Sequence, residues 1–232
     1  MSCRWHSYST IAELEAAAVR AIRLAAQLAI SQRSEFHIVL SGGNTPRRIY
    51  ETLRSTDTDW SSWHVYFGDE RCLPPAHAER NSRMAGMAWL NHVGIPVAQI
   101  HVIDAERGAE LAAQRYAQIV DRIEQFDLVL LGLGEDGHTA SLFPRHDPGN
   151  APDAPAVLAV HDAPKPPSER VSLSAFRLGA TRQVMFLVTG EAKRQAVQDW
   201  RNGMDIPAAA IKPAGGVDIY LEAGLLESAG KS

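Results

Sequence analysis

A histidine and two carboxylates follow an apolar run near the middle of the chain. The run at 128–131 is typical of a buried strand, and residues 132–138 then hold three glycines with Glu135, Asp136 and His138. Ligands of open α/β sheets bind just beyond the carboxyl ends of strands. A histidine, with an ordinary pKa of about 6.5, exchanges protons at neutral pH. The pattern predicts a proton-transfer site at His138 with Asp136, although a capping aspartate beside a structural histidine has the same pattern.

The same segment matches a dinucleotide-binding fingerprint, with glycines at the three required positions. That fingerprint seats a pyrophosphate on the N–H groups of a helix N-terminus. Glu135 and Asp136 fill its variable positions, where their charge opposes a pyrophosphate. Pro144 leaves little room for the long helix that should follow. The sequence therefore disfavours a nucleotide site.

A glycine pair between a predicted strand and a predicted helix is the second candidate. The segment 41–46 consists of Ser41, Gly42, Gly43, Asn44, Thr45 and Pro46. Glycines let backbone N–H groups approach an anion, hydroxyl groups add donors, and proline suits a first helical turn. These features predict a phosphate monoester site. A tight turn capped by the threonine is the alternative.

Charged residues outside these two segments are harder to interpret one by one. Asp69, Glu70 and Arg71 follow a predicted strand, where three charges need a ligand or mutual pairing if buried. Taken alone, a surface ion pair of Arg71 with either carboxylate explains them. Arg170 and Lys193 are each typical of a surface charge. Together with the glycine loop, they would supply a bidentate guanidinium and a point charge to one phosphate.

The hydrophobic pattern predicts the elements that must position these residues. Helices are expected at 14–30, after a capping box at Thr10 and Glu13, and at 46–53, 79–91, 106–124 and 191–200. Extended segments are expected at 36–40, 63–67, 100–103, 126–131, 156–160, 170–174, 184–188 and 217–221, with a turn into a short strand at 207–211. Strands alternate with helices, which predicts an α/β fold with a mainly parallel sheet and helices on both faces. Residues 1–232 are expected to form a single domain, with 144–167 as a long proline-rich loop.

Composition narrows the class of protein. The chain has 232 residues, 45% hydrophobic and 22% charged, and a net charge of −4, which favours neither nucleic acid nor an anionic membrane as a partner. No apolar run has the length of a membrane span, and the amino end has no signal-peptide pattern. Cys3 and Cys72 lack metal-like spacing. These features predict a cytoplasmic protein with reduced thiols and no bound metal.

The motifs together resemble those of the 6-phosphogluconolactonase family, which is similar to the glucosamine-6-phosphate deaminase/isomerase superfamily. The matching blocks, in family order, are 41–46, 67–72 with Pro74-Pro75 and Asn81-Ser82, 132–144, 166–170 and 188–193. The resemblance implies a NagB-like (Rossmann-like) three-layer fold. It also implies hydrolysis of 6-phospho-D-glucono-1,5-lactone to 6-phospho-D-gluconate in the oxidative pentose phosphate pathway, without metal or cofactor.

The resemblance assigns roles to particular residues. It implies that the sugar phosphate binds to Ser41, Gly42, Gly43, Asn44, Thr45, Arg170 and Lys193. His138 would be the general base for water, and Arg71 an electrophilic aid near the lactone oxygens. Asp69 and Asp136 would orient polar groups. A small-molecule sugar-phosphate lactone is the expected partner, and the protein is expected to be a monomer or a dimer.

One departure favours the lactonase branch over the deaminase branch. Leu142, Phe143 and Pro144 stand where a deaminase has an Asn-Glu-Pro stretch whose glutamate assists ring opening. Lactone hydrolysis needs only an activated water and a stabilised oxyanion. An aminosugar-phosphate deaminase or isomerase and a non-enzymatic sugar-phosphate sensor remain the alternatives.

Overall fold

The computed structural model describes residues 2–227, and within them the chain forms nine β-strands and six α-helices. The strands are β1 (Cys3–Tyr8), β2 (Phe36–Leu40), β3 (Trp63–Phe67), β4 (Asp69–Arg71), β5 (Phe126–Gly132), β6 (Val157–Val160), β7 (Arg170–Leu173), β8 (Thr181–Val188) and β9 (Val217–Glu222). The helices are α1 (Ile11–Arg33), α2 (Asn44–Leu53), α3 (Asn81–Ala88), α4 (Ala109–Val120), α5 (Ala175–Gly179) and α6 (Arg194–Arg201).

The main sheet has six parallel strands in the order β1-β9-β8-β5-β2-β3. Its inner strands β2 and β5 are nearly continuous apolar runs, and β8 is apolar from Val184 onward, as expected of strands covered on both faces. The predicted α/β class and mainly parallel sheet are confirmed. Helices and a second sheet cover this sheet in a three-layer arrangement.

The strand order reverses beside β2, and this places the ligand crevice. From β2 the chain moves outward to β3, whereas β5, β8 and β9 lie successively on the other side of β2. Such a reversal opens a crevice beyond the carboxyl ends of the two strands that flank it. The segments that follow β2 and β5 are the two glycine-rich candidates of the sequence.

A smaller antiparallel sheet, β4-β7-β6, was not predicted from the sequence. Strands at 156–160 and 170–174 were expected, and β6 and β7 confirm them nearly residue for residue. The third member, β4, consists only of charged residues and has no apolar alternation that could signal a strand. Its pairing with β7 sets Arg71 opposite Arg170, so this sheet brings together two cations distant in sequence.

The helices largely follow the predicted periodicity. The capping box at α1 is confirmed, since Thr10 accepts from the Glu13 N–H and Glu13 accepts from the Thr10 N–H. Leucine, isoleucine and alanine side chains of α1 are buried, and the helix packs on β1, β2, β5 and β9. The helix expected at 106–124 is shorter, because Gly108, at φ 90°, precedes its first residue.

Three other expectations differ from the structure. Residues 100–103 form only one bridge, between Val65 and Ile100. Residues 207–211 contain a 3-10 helix (Pro207–Ala210) and no strand, as suits a proline at a first helical position. The helix expected over 191–200 is divided into a 3-10 helix (Glu191–Lys193) and α6. Strand β1 and helix α5 were not foreseen.

Among residues 2–227, no helix combines the length and the apolar character that crossing a bilayer requires.

Candidate active site

A cavity of about 400 Å³ lies at the carboxyl ends of β2, β5 and β8. All of the predicted site residues except Asp136 line it: Ser41, Gly42, Gly43, Asn44, Thr45, Asp69, Arg71, His138, Arg170 and Lys193. Asp136 lines a second cavity of about 270 Å³, to which Arg71, His138 and Arg170 also contribute. The folded chain thus brings the two glycine segments and the separated cations to one place.

The glycine loop is shaped to expose backbone N–H groups. Gly43, at φ 111°, precedes α2, and no side chain caps that helix end. The buried Tyr50 hydroxyl fixes the start of the loop, since it accepts from the Ser41 N–H (3.1 Å) and donates to the Ser41 carbonyl (2.9 Å). Ser41 Oγ is buried and has no partner within the described residues. An uncapped helix N-terminus with a free hydroxyl beside it suits an anion.

The Thr45 side chain does not cap the turn. The alternative to a phosphate site at this segment required such a cap. Its hydroxyl lies 2.7 Å from that of Thr189, the residue after β8. This contact ties the glycine loop to the segment that carries Lys193, the last residue of the 3-10 helix (Glu191–Lys193). In that segment Gly190 donates its N–H to Glu222 at 2.5 Å.

Asp136 and His138 form a hydrogen-bonded pair. His138 Nδ1 lies 2.5 Å from Asp136 Oδ1, and the His138 backbone N–H donates to the same oxygen at 3.1 Å. Burial alone would raise the pKa of Asp136, but these hydrogen bonds from His138 outweigh it, so the pKa lies below its usual value. An ionised carboxylate requires a proton on Nδ1, which leaves the lone pair of neutral His138 on Nε2.

The glycines around this pair hold the imidazole in place. A β-carbon on Gly134 would stand 2.0 Å from His138 Nδ1, so the ring lies directly against that backbone. Gly137 adopts φ 82°, which closes the turn between the two residues. On its other side the ring packs on Phe143, with 4.9 Å between centroids. The side chain remains about one quarter exposed (26%), which suits a base that must meet water.

The three charged side chains of β4 differ in position: Asp69 and Arg71 line the cavity, and Glu70 does not. Asp69 is buried, and its oxygens accept from Asn81 Nδ2 at 3.0 Å and Ser141 Oγ at 2.6 Å. Glu70 is fully buried and lies 3.1 Å from Arg80, so the surface pair with Arg71 suggested by the sequence is wrong. Arg71 donates to the Glu79 carbonyl at 2.6 Å.

Arg170 is held by backbone carbonyls. Its Nε donates to Pro167 O (3.1 Å) and its Nη2 to Lys165 O (2.9 Å), and the guanidinium stacks over Phe143. Burial lowers the pKa of Arg170, although Asp69 acts in the opposite direction. A guanidinium remains charged under such conditions. A buried cation fixed by neutral carbonyls keeps its charge available for an anionic ligand.

Sequence reasoning did not assign three polar residues that line the cavity: Asn81, Thr139 and Thr189. Asn81 and Thr189 lie within matching motif blocks, so their position after a charged strand and after β8 was an available signal. Thr139 donates to the Gly132 carbonyl at 2.8 Å and closes the turn that carries His138. Over the described residues, no group of three or more His, Cys, Asp or Glu side chains is arranged to hold a metal ion.

Comparison with known proteins identifies relatives over most of the chain. Residues 9–220 match the family model described as glucosamine-6-phosphate isomerases/6-phosphogluconolactonase. A 6-phosphogluconolactonase of Synechocystis sp. is 38% identical over 200 residues, which cover 81% of this chain and 82% of the relative. The crystal structure of 6-phosphogluconolactonase from Thermotoga maritima superposes with a TM-score of 0.88 at 25% identity, covering 95% of this chain and 100% of that chain.

A monomeric glucosamine-6-phosphate deaminase also superposes, with a TM-score of 0.78 at 17% identity. The match covers 96% of this chain and 98% of the deaminase. At that identity the likeness concerns the fold alone. The three-layer architecture is therefore shared by lactonases and deaminases, and the side chains of the cavity must distinguish them.

Proposed function

The chain belongs to the glucosamine-6-phosphate isomerase/6-phosphogluconolactonase family, and on that basis we propose that it hydrolyses 6-phospho-D-glucono-1,5-lactone to 6-phospho-D-gluconate. The relatives named 6-phosphogluconolactonase support this activity. The observation that carries the proposal is one cavity, which is lined by an uncapped glycine loop with two cations and also by a carboxylate-paired imidazole.

The phosphate binds at the end of the cavity formed by the glycine loop. Backbone N–H groups at the start of α2 and the unpartnered Ser41 hydroxyl donate to its oxygens. Arg170 supplies a fixed guanidinium and Lys193 a point charge. Because the phosphate is remote from the reacting carbon, its binding energy serves to position the lactone.

His138 activates the water. Its Nε2 takes a proton as the water oxygen attacks the lactone carbonyl carbon, and Asp136 stabilises the imidazolium that forms. The carbonyl oxygen becomes an oxyanion, which the Arg71 guanidinium stabilises. The bond between the carbonyl carbon and the ring oxygen then breaks, and the imidazolium returns its proton to that oxygen. The product is the open-chain acid, and no other reactant than water is consumed.

Phe143 favours the lactonase over the deaminase alternative. It is buried, packs on the His138 ring and lies under Arg170, in the segment where a deaminase has its ring-opening glutamate. Asp69 is the acidic side chain that lines the main cavity within the described residues, and both its oxygens are already engaged. Ring opening of an aminosugar phosphate therefore lacks its acid–base partner.

Three assays with the purified protein test the proposal. We expect hydrolysis of 6-phosphogluconolactone well above the protein-free rate, much slower hydrolysis of phosphate-free glucono-1,5-lactone, and no ammonia from glucosamine 6-phosphate. Ammonia release would support the deaminase alternative. Tight binding of the phosphorylated lactone without turnover would support the sensor alternative. Either result overturns the proposed function.

A further inference from the structure

Asn81, at the start of α3, lies between two parts of the cavity, the glycine loop and β4. The proposed mechanism gives this residue no role. It is buried and lines the cavity between the glycine loop and β4. Its Nδ2 donates to the Asp69 carbonyl and to Asp69 Oδ1, each at 3.0 Å. Because the amide donates to a carboxylate, its nitrogen must face β4 and its Oδ1 the opposite way.

The opposite way leads to Gly42. A β-carbon on Gly42 would stand 2.1 Å from Asn81 Oδ1, so the amide occupies the place of a side chain at that position. Gly42 is not among the residues with positive φ. The neighbouring amide, and not the backbone conformation, therefore requires a glycine here. One planar group thus contacts the phosphate loop on one side and β4 on the other.

Glu70 fixes the backbone of Asn81 through hydrogen bonds. This fully buried carboxylate accepts from the Asn81 N–H (2.8 Å) and from the Ser82 N–H and hydroxyl (2.8 and 2.7 Å). It also accepts from the Arg71 N–H at 2.9 Å and lies 3.1 Å from Arg80 Nε. Four hydrogen bonds and a cation satisfy a charge that would otherwise be costly to bury. The start of α3 is thereby fixed on β4.

We propose that Asn81 is a positioning residue that holds the glycine loop against β4 and so sets the distance between the bound phosphate and the lactone carbonyl. The inference rests on the proposed function, because it concerns the phosphate end and the lactone end of the substrate of that reaction. Asn81 aligns the two ends so that binding of the phosphate speeds attack on a distant carbon. Misplacement by about 1 Å can cost about 10²-fold in rate.

The test compares two substrates in matched variants. For each variant we measure kcat/KM with 6-phosphogluconolactone and with glucono-1,5-lactone, and we take their ratio as the advantage given by the phosphate. In Asn81→Ala this ratio should fall by about 10²-fold, because the loss with the phosphorylated lactone exceeds the loss with the phosphate-free lactone. A general loss of packing would lower both values together. A ratio equal to that of the wild type overturns the inference.

Asn91, just after the C-terminal end of α3, provides a matched control. Its Oδ1 lies 3.4 Å from where a β-carbon would stand on Gly86, and neither residue lines the cavity. Asn91→Ala removes a looser amide–glycine contact away from the site and should leave the ratio unchanged. If Asn81→Ala does not fold, Asn81→Ser removes the same amide with a smaller change in polarity. A loss of the phosphate advantage in Asn91→Ala would contradict the inference.

A double-mutant cycle tests the contact itself. Gly42→Ala should lower the phosphate advantage, because its new β-carbon displaces the Asn81 amide or the loop. In Gly42→Ala/Asn81→Ala the space is open, so the loss should be no greater than in the worse single variant. Additive losses would mean that the two residues act independently, which overturns the inference. Absence of lactonase activity in the wild type would instead reject the proposed function.

Discussion

His138 and a stack of three histidines beside β3 place the same side chain in different environments. His138 is partly open, paired with Asp136, and free at Nε2. His37, His64 and His101 stack on one another, with centroids 4.8 and 5.9 Å apart, and His101 also stacks on Tyr66 at 4.5 Å. Burial lowers the pKa of His101 to about 4 and lowers that of His64.

His138 and His101 differ in what partners the ring, whereas His37 in the stack lies 3.0 Å from a carboxylate oxygen of Glu35. A carboxylate holds one nitrogen of His138 and leaves the other open to the cavity. His101 has no acidic partner in the described structure, and its Nε2 is buried without a hydrogen bond. Desolvation keeps such a ring neutral and makes it a packing group. This contrast supports the proposed role of His138 as the base and a packing role for His101.

The largest expected effect is the loss of the base itself. His138→Ala should lower kcat for 6-phosphogluconolactone by roughly 10²–10⁴-fold, because no group replaces Nε2 as proton acceptor. Steady-state kinetics above the protein-free rate measure this. His64→Ala is the matched control from the stack and should keep kcat. Equal losses of kcat in the two variants would contradict the distinction between His138 and the stacked histidines.

Removing the carboxylate partner should have the next largest effect. Asp136→Asn keeps the shape of the side chain but cannot stabilise the imidazolium, so kcat should fall by about 10²-fold. Because the pKa of Asp136 lies below its usual value, the carboxylate that Asn replaces is ionised at neutral pH. Steady-state kinetics of Asp136→Asn and the wild type, compared at one neutral pH, measure this loss. A kcat of Asp136→Asn equal to that of the wild type would contradict the assigned pair.

A variant at the anion end sharpens the comparison, because it removes a phosphate-binding charge but neither member of the Asp136–His138 pair and none of the stacked histidines. Arg170→Ala should lower kcat/KM for 6-phosphogluconolactone by about 10–10²-fold and leave kcat/KM for glucono-1,5-lactone nearly unchanged. Measuring both substrates separates anchoring from proton transfer. Equal loss with both lactones would make Arg170 a part of the hydrolytic machinery or of the fold.

The smallest effect concerns stability in acid. In the unfolded chain the histidine at position 101 is protonated below about pH 6.5. In the folded protein its pKa is about 4, so the ring stays neutral until the pH is much lower. Stability is therefore lost as the pH falls from about 6.5 towards 4. In His101→Phe the slope of unfolding free energy against pH over this range should decrease by up to about one proton. Urea titrations at several pH values measure it, and an unchanged slope would contradict the lowered pKa.

The main sheet was predictable because the apolar pattern of each strand lies within the strand's own residues. Buried parallel strands such as β2 and β5 are continuous apolar runs, and the glycine-rich segments after them identify the edge where ligands bind. The shared cavity of these segments was expected for that reason. The roles of its residues stay predictions until variants are measured.

The unpredicted part of the site depends on contacts between distant segments. Nothing near Glu70 indicates that it meets Arg80 and α3, and nothing near Gly42 indicates that Asn81 fills its side-chain space. Strand β4 lacks the apolar alternation by which strands are found. The pairing of Arg71 with Arg170 across β4 and β7 joins positions about a hundred residues apart. Local patterns carry no information on such pairs.

A crystal structure with bound 6-phosphogluconate would test the central claim most directly. We expect the phosphate on the glycine loop with Arg170 and Lys193, and the C1 carboxylate within hydrogen-bond reach of His138 Nε2. The same ligand bound with its C1 carboxylate on the glycine loop, or seated with His138 out of reach of C1, would contradict it.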